Sequence, residues 1–236
     1  VEELAGRDFS AISDGQRQRV LLARAICQEP KIIVLDEPTS FLDIKHKLEL
    51  LNILHTMAKK ENIAVLMSLH EIDLAQKISD KVICVHGESI EHFGRPNDIF
   101  TDEIIKELYS IEKGSYNITF GSVELPKPVG EPEVFVIAGD GKGIPVFREM
   151  TRLGIAFSTG ILHENDVDYY VARNLASELI SVPSFEEISE ESLERALEAI
   201  KKCRRVILAN DKIGVSNKRV ATLIEEAQAQ GKLERV

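Results

Sequence analysis

Short runs of β-branched and aliphatic residues recur along this chain, and all but the third are followed by a stretch with helical spacing. The runs are Lys31–Leu35, Ile63–Leu69, Lys81–Val85, Val134–Ala138, Ile155–Leu162, Leu179–Val182 and Val206–Ala209. A continuous apolar run without polar alternation is the pattern of a strand buried on both faces, which is the habit of parallel sheets. Between the runs, helices are predicted over Gln16–Gln28 (stopped by Pro30), Asp43–Lys59, Glu71–Ser79, Pro145–Leu153, Val167–Ser177, Glu190–Cys203 and Asn217–Gln230. In the second of these, Ile44, Leu48, Leu51 and Leu54 share one side. Strand–helix alternation of this kind predicts an α/β architecture. The stretch His86–Gly94 reads as a hairpin turning through Gly87-Glu88.

The alternation breaks once. Gly114–Glu133 holds three prolines and three glycines without sustained periodicity, and is read as a linker. That divides the chain into residues 1–113, a linker at 114–133 and residues 134–236. A chain of 236 residues with 44% hydrophobic residues suffices for one large or two small cores. No apolar run approaches the roughly 20 residues of a membrane span. The first ten residues are polar and open without Met, so a cut start and no secretory leader are expected. Cys27, Cys84 and Cys203 sit far apart in apolar patterns and are expected to be reduced core thiols. A net charge of −10 argues against nucleic acid as the main partner.

Chemistry concentrates in the first part. Asp36 and Glu37 follow the strand Lys31–Leu35, and ligands of parallel sheets sit at the carboxyl ends of strands. One acid there can hold Mg²⁺ while the next polarises a water, or the pair can simply cap the turn at Pro38. Upstream, Ser13 is placed to cap the next helix, whose N–H groups and dipole favour an anion, and Gly15 lets that backbone approach closely. Arg17, Arg19 and Arg24 on the same helix form either a basic footprint or an ordinary solvated face.

Taken together, "ISDGQRQR" (Ile12–Arg19), "IIVLDEP" (Ile32–Pro38), "SFLD" (Ser40–Asp43) and His70 in "MSLHEIDLA" resemble the ATP-binding subunits of ABC transporters. They correspond in order to that family's signature motif, Walker B strand, D-loop and switch histidine. The resemblance covers residues 1 to about 110. It implies a partial P-loop NTPase (ABC ATPase) sheet lacking its N-terminal half, while the strand–helix alternation of residues 134–236 by itself predicts a small Rossmann-like doubly wound parallel α/β domain. It also implies roles: Asp36 holds Mg²⁺ through water, Glu37 activates the attacking water, and His70 contacts the γ-phosphate of ATP. Ser13, Gly15 and Gln16 contact ATP held by a second ATPase subunit in a head-to-tail dimer, and Asp43 works at that interface or caps the following helix. Transmembrane permease subunits are the further partners, and the location is cytoplasmic, peripheral on the inner face of the membrane. "LDI-H--ELL" and "GRPNDIF" resemble importers of iron–siderophore complexes, cobalamin or haem.

Two departures stand out. Asp14 occupies a place where the family usually has glycine, and its carboxylate should weaken anion binding there unless it turns outward or pairs with an arginine such as Arg17. No Gly-x-x-x-x-Gly-Lys-Ser/Thr loop occurs, so these residues alone are expected not to turn over ATP. The rival readings are a soluble ABC ATPase of DNA repair or translation, and a non-catalytic regulatory fragment.

In the second part, Gly139, Gly141 and Gly143 make a strand–turn–helix that is a near miss to the dinucleotide fingerprint, with Ile144 at its last glycine. It is either a phosphate or nucleotide site or a tight turn with no ligand. His163, Glu164 and Asp166 face the same crevice, or Asn165 or Asp166 caps the helix from Val167. A regulatory, small-ligand-sensing role is the expectation for this domain.

Overall fold

The computed structural model describes residues 1–236, which form two compact units, Val1–Phe100 and Thr101–Val236. The first contains α1 (Asp14–Ile26), β1 (Ile32–Leu35), α2 (Ile44–Lys60), β2 (Ala64–Met67), α3 (Ile72–Ile78), β3 (Val82–His86), β4 (Ser89–Gly94) and α4 (Pro96–Ile99). β1 and β2 are parallel, with Ile32 opposite Ala64 and Leu35 opposite Met67. One face of this pair packs on Leu22 of α1 and Leu50 and Leu54 of α2, with Leu35, Val65 and Met67 joining the cluster. Each such leucine contributes about 1.5–3 kcal/mol on burial.

The other face is uncovered, although the runs themselves suit burial on both faces. Ile32, Val34 and Leu66 are exposed, Val34 by 70%, because among these residues only one helix layer covers the strands. The third apolar run does not extend the sheet either. It forms β3, which pairs antiparallel with β4 in the expected hairpin. Cys84 and Cys203 are buried as expected, whereas Cys27 is exposed at the end of α1.

The second unit begins with α5 (Asp102–Leu108), followed by a hairpin of β5 (Ser115–Asn117) and β6 (Ser122–Glu124). The segment read as a linker is therefore partly structured, and it belongs with the second unit. Its polar side chains supply the attachment: Asn117 Nδ2 donates to Tyr170 O at 3.0 Å, and Glu124 accepts from Arg148 Nε at 3.1 Å. Then come β7 (Val134–Ile137), α6 (Gly143–Arg152), β8 (Phe157–His163), α7 (Val167–Leu175), β9 (Glu178–Val182), α8 (Glu190–Lys202), β10 (Arg205–Leu208), α9 (Val220–Ala229) and β11 (Leu233–Arg235).

These strands form a five-stranded parallel sheet in the order β11-β10-β7-β8-β9. Successive residues of β7 alternate between two cores: Phe135 and Ile137 pack with α8 and α9, Val134 and Val136 with α6 and α7. Helices thus cover both faces, which is why the apolar runs here are continuous. The strand order reverses between β7 and β10, the place where such sheets open a ligand crevice. β11, only Leu-Glu-Arg, carries no apolar run and was not foreseen. No helix of the chain is long and apolar enough to cross a membrane.

Candidate functional site

The register of β1 and β2 sets Leu35 beside Met67, so the chain segments leaving the two strands run side by side. Asp36 and Glu37 leave one, Ser68 and His70 the other. Ser68 Oγ donates to Asp36 Oδ1 at 2.7 Å and accepts from the Glu37 N–H at 2.7 Å. His70 Nε2 lies 2.7 Å from Glu37 Oε1, and Ser40 Oγ donates to Glu37 Oε2 at 2.9 Å. Asp36, Glu37 and His70 are thereby brought together by strands separated by a whole helix.

Glu37 sits at φ +42°, in the left-handed region. Such a conformation costs a non-glycine residue about 1–3 kcal/mol and persists only where neighbours hold it. The hydrogen bond from His70, then that from Ser40, holds the Glu37 carboxyl below its ordinary pKa. The same bond to Glu37, followed by its charge, raises that of His70. The Asp36 carboxylate is exposed, with a hydroxyl beside it. No cluster of three or more His, Cys, Asp or Glu side chains forms an all-protein metal cage. A single carboxylate of this kind fits Mg²⁺, which keeps water and phosphate oxygens as its other ligands.

The start of α1 is a second cluster. Ser13 Oγ accepts from the Gln16 N–H at 3.3 Å, and Gln16 Oε1 accepts from the Ser13 N–H at 3.1 Å, a reciprocal capping box. Arg17 Nη1 donates to Asp14 Oδ1 at 3.0 Å, while its other nitrogens hold Phe9 O and Ser10 O. The Asp14 carboxylate is thus engaged by an arginine, the condition under which it need not weaken an anion site beside it. At Gly15 a Cβ would lie 3.0 Å from Leu42 Cδ2, so glycine also lets α1 pack against the segment before α2. Asp43 Oδ1 accepts from the His46 N–H at 2.9 Å and caps α2, the structural reading of that residue.

In the second unit the glycine turn is filled from within. Asp168, fully buried, accepts the N–H of Gly139 at 2.7 Å, of Gly143 at 3.0 Å and of Ile144 at 3.1 Å. The amides that would cradle a phosphate already meet a carboxylate, which corrects the reading of Gly139 and Gly143 as an anion site. Gly143 is required for this approach, since a Cβ there would lie 2.5 Å from Ala138 Cβ and 3.0 Å from Asp168 Oδ2. Gly141 takes φ +74° in the turn. Burial pushes the Asp168 carboxyl pKa up, against the pull of its backbone partners. Asp166 caps α7 through the Asp168 N–H at 2.9 Å and accepts the Asp140 N–H at 3.0 Å. His163 Nε2 lies 2.9 Å from Glu186 O, and Glu164 is exposed.

Sequence reasoning missed Ser68 and Asp168, and it placed Ser40 only within the D-loop motif, not on Glu37. Ser68 carried a faint signal, two residues before His70 at a strand end. Asp168 carried none, since "Asn-Asp-Val-Asp" reads as a helix start and nothing local says that the last carboxylate reaches back across the crevice.

Residues 2–40 match the ABC transporter family, and residues 157–233 match the MJ0874 family. An uncharacterized ABC transporter ATP-binding protein, MJ0873 of Methanocaldococcus jannaschii, is 40% identical over 152 residues, 64% of this chain and 52% of that protein. Cobalamin import ATP-binding protein BtuD of Halobacterium salinarum is 30% identical over 206 residues, 84% of this chain and 52% of that protein. That alignment is longer than either unit, so it runs through both. Petrobactin import ATP-binding protein FpuD of Bacillus anthracis is 34% identical over 110 residues, 47% of this chain and 40% of that protein. The chain's homologues are ATP-binding subunits of ABC transporters. It spans about half the length of the first curated relatives it matches.

Proposed function

We propose that this chain is part of the ATP-binding and ATP-hydrolysing subunit of an ABC importer for an iron–siderophore, cobalamin or haem-like substrate. The observation that carries this is the joining of Asp36, Glu37 and His70 at the carboxyl ends of two adjacent parallel strands. The importer names of the relatives support the substrate class. Mg²⁺ bound to ATP would screen the phosphate charge and order water around it. Asp36 would hold that ion through water. Glu37, fixed on one oxygen by Ser40 and on the other by His70, would orient and deprotonate the attacking water. His70 would turn to the γ-phosphate as a charge-bearing donor.

The amides at the start of α1, with Ser13, Gly15 and Gln16, would face ATP on a second subunit packed head to tail, with Asp43 at the same interface. Permease subunits would make this a peripheral protein on the cytoplasmic face of the membrane. The second unit would sense a small ligand, although not a phosphate at the amides held by Asp168.

The test joins these residues to a phosphate-loop segment and measures Mg²⁺-dependent hydrolysis. Glu37→Gln should lower turnover by about 10²–10⁴-fold while ATP still binds. The 236 residues alone should show none. Unchanged turnover in the Gln variant would remove Glu37 from catalysis.

A further inference from the structure

We infer that Glu71, gripped by Thr39 and Lys47, is a positioning residue that keeps Glu37 and His70 in reach of each other. This rests on the roles proposed above for those two. Their own contact is exposed, with His70 75% and Glu37 46% accessible, and water competes for both partners. An exposed pair of this kind fixes little by itself. Glu37 moreover holds a left-handed backbone that its surroundings must enforce.

The enforcement lies one residue past His70 and two past Glu37. Thr39 is only 1% accessible, and its Oγ1 donates to Glu71 Oε2 at 3.0 Å. A hydroxyl withdrawn from water needs such a partner. The other oxygen of Glu71 is held by Lys47 Nζ, from the first turn of α2. The carboxylate adjoining His70 is thus gripped by the loop that follows Glu37 and by the helix that follows that loop. This tie is part-buried where the His70–Glu37 contact is not, so the concealed bond sets the position of the open one.

The charged groups around His70 are Glu37, Glu71 and Asp36, with Lys47 on the far side of Glu71. Thr39→Val changes none of these charges. It therefore separates geometry from electrostatics.

The experiment uses the 236-residue chain, ¹⁵N-labelled, and reads the ring-nitrogen shifts of His70 at neutral pH. Glu37→Ala supplies the signature of an unpaired imidazole. Thr39→Val should move His70 from the wild-type pattern to that of Glu37→Ala, and Thr39→Ser, which restores the hydroxyl, should keep the wild-type pattern. If Thr39→Val does not fold, Thr39→Ala, which also removes the hydroxyl and leaves every charge in place, is read for the same displacement. A wild-type His70 pattern in the folded variant overturns the inference. None of these readings involves ATP turnover, so failure of the catalytic assignment, seen in Glu37→Gln hydrolysis, remains a separate result.

Discussion

The imidazole of His70 and the carboxylate of Glu37, on segments leaving neighbouring parallel strands, share one hydrogen bond of 2.7 Å. Each shifts the other: the His70 pKa rises above the ordinary 6.5 and that of Glu37 falls below 4.5, in both cases first through this bond. The signs define a window. The raised His70 value gives a contribution that is complete below 6.5 and fades as pH climbs through it. The lowered Glu37 value gives one that is complete above 4.5 and fades as pH falls through it. The charged pair therefore exists between the two, in mildly acidic to neutral solution. An NMR titration should place the His70 midpoint above 6.5 in the native chain and lower it in Glu37→Gln. A midpoint at or under 6.5 in the native chain would show that the two side chains do not pair.

Asp168 gives a second titration, of opposite sense to Glu37. Its native carboxyl pKa lies above the ordinary 3.8, with burial as the first cause. The native state binds that proton more tightly than the unfolded chain does. This group accordingly favours folding most below 3.8, and the benefit is lost as pH rises through the raised value. Asp168→Asn cannot ionise; its one carbonyl oxygen serves Gly143 and one of Gly139 or Ile144, so its baseline stability is lower and only the pH dependence is compared. Between about pH 3 and pH 7 the wild type should lose melting temperature relative to Asp168→Asn. Asp168→Ala, which strands these buried amides, should cost about 3 kcal/mol in denaturant unfolding. Parallel melting curves for wild type and Asn variant would refute the raised pKa.

Much of this fold was legible, for reasons that differ between the two halves. In the second unit, Val134–Ala138 and Val206–Ala209 are continuous apolar runs because helices cover both faces of their sheet, so local pattern and tertiary burial agree. In the first unit Ile32 and Val34 carry the same pattern, yet they stand exposed among these residues. A run's composition records what a strand is suited to, not what lies against it. Helix caps were readable because capping is local, as at Ser13, Asp43 and Asp166. The Asp168 bonds reach back 29 residues to Gly139 and were not. Asp36, Glu37 and His70 were found by motif, whereas Ser68, which ties Asp36 to the backbone of Glu37, was visible only once β1 and β2 were paired.

The hairpin of β5 and β6 should prove part of the second unit's stability. Asn117 is buried, donating to Tyr170 O at 3.0 Å and accepting the Phe120 N–H at 3.2 Å. Asn117→Ala removes the partner of the Tyr170 carbonyl and of the Phe120 amide, in two part-buried bonds, and should destabilise residues 101–236 by about 1–3 kcal/mol. Residues 134–236 alone should unfold at lower denaturant than 101–236. Equal midpoints for the two pieces would reduce the hairpin to a tether.

Ile32 and Val34 of β1 stand across from Ala64 and Leu66 of β2, and all four positions are exposed, leaving one apolar face of a parallel pair uncovered. Parallel strands ordinarily have both faces covered, and an open apolar patch on a soluble domain promotes association. The 236-residue chain should therefore self-associate in sedimentation experiments and bind an apolar dye. Val34→Thr with Leu66→Thr keeps strand-compatible side chains while making that face polar. The double variant should shift sedimentation toward the monomer. Because both positions already meet water, the stability change should stay within about 0.5 kcal/mol at each. Unaltered association together with a loss of several kcal/mol would mean that this face is packed within the folded chain, and the patch would then not be what draws copies together.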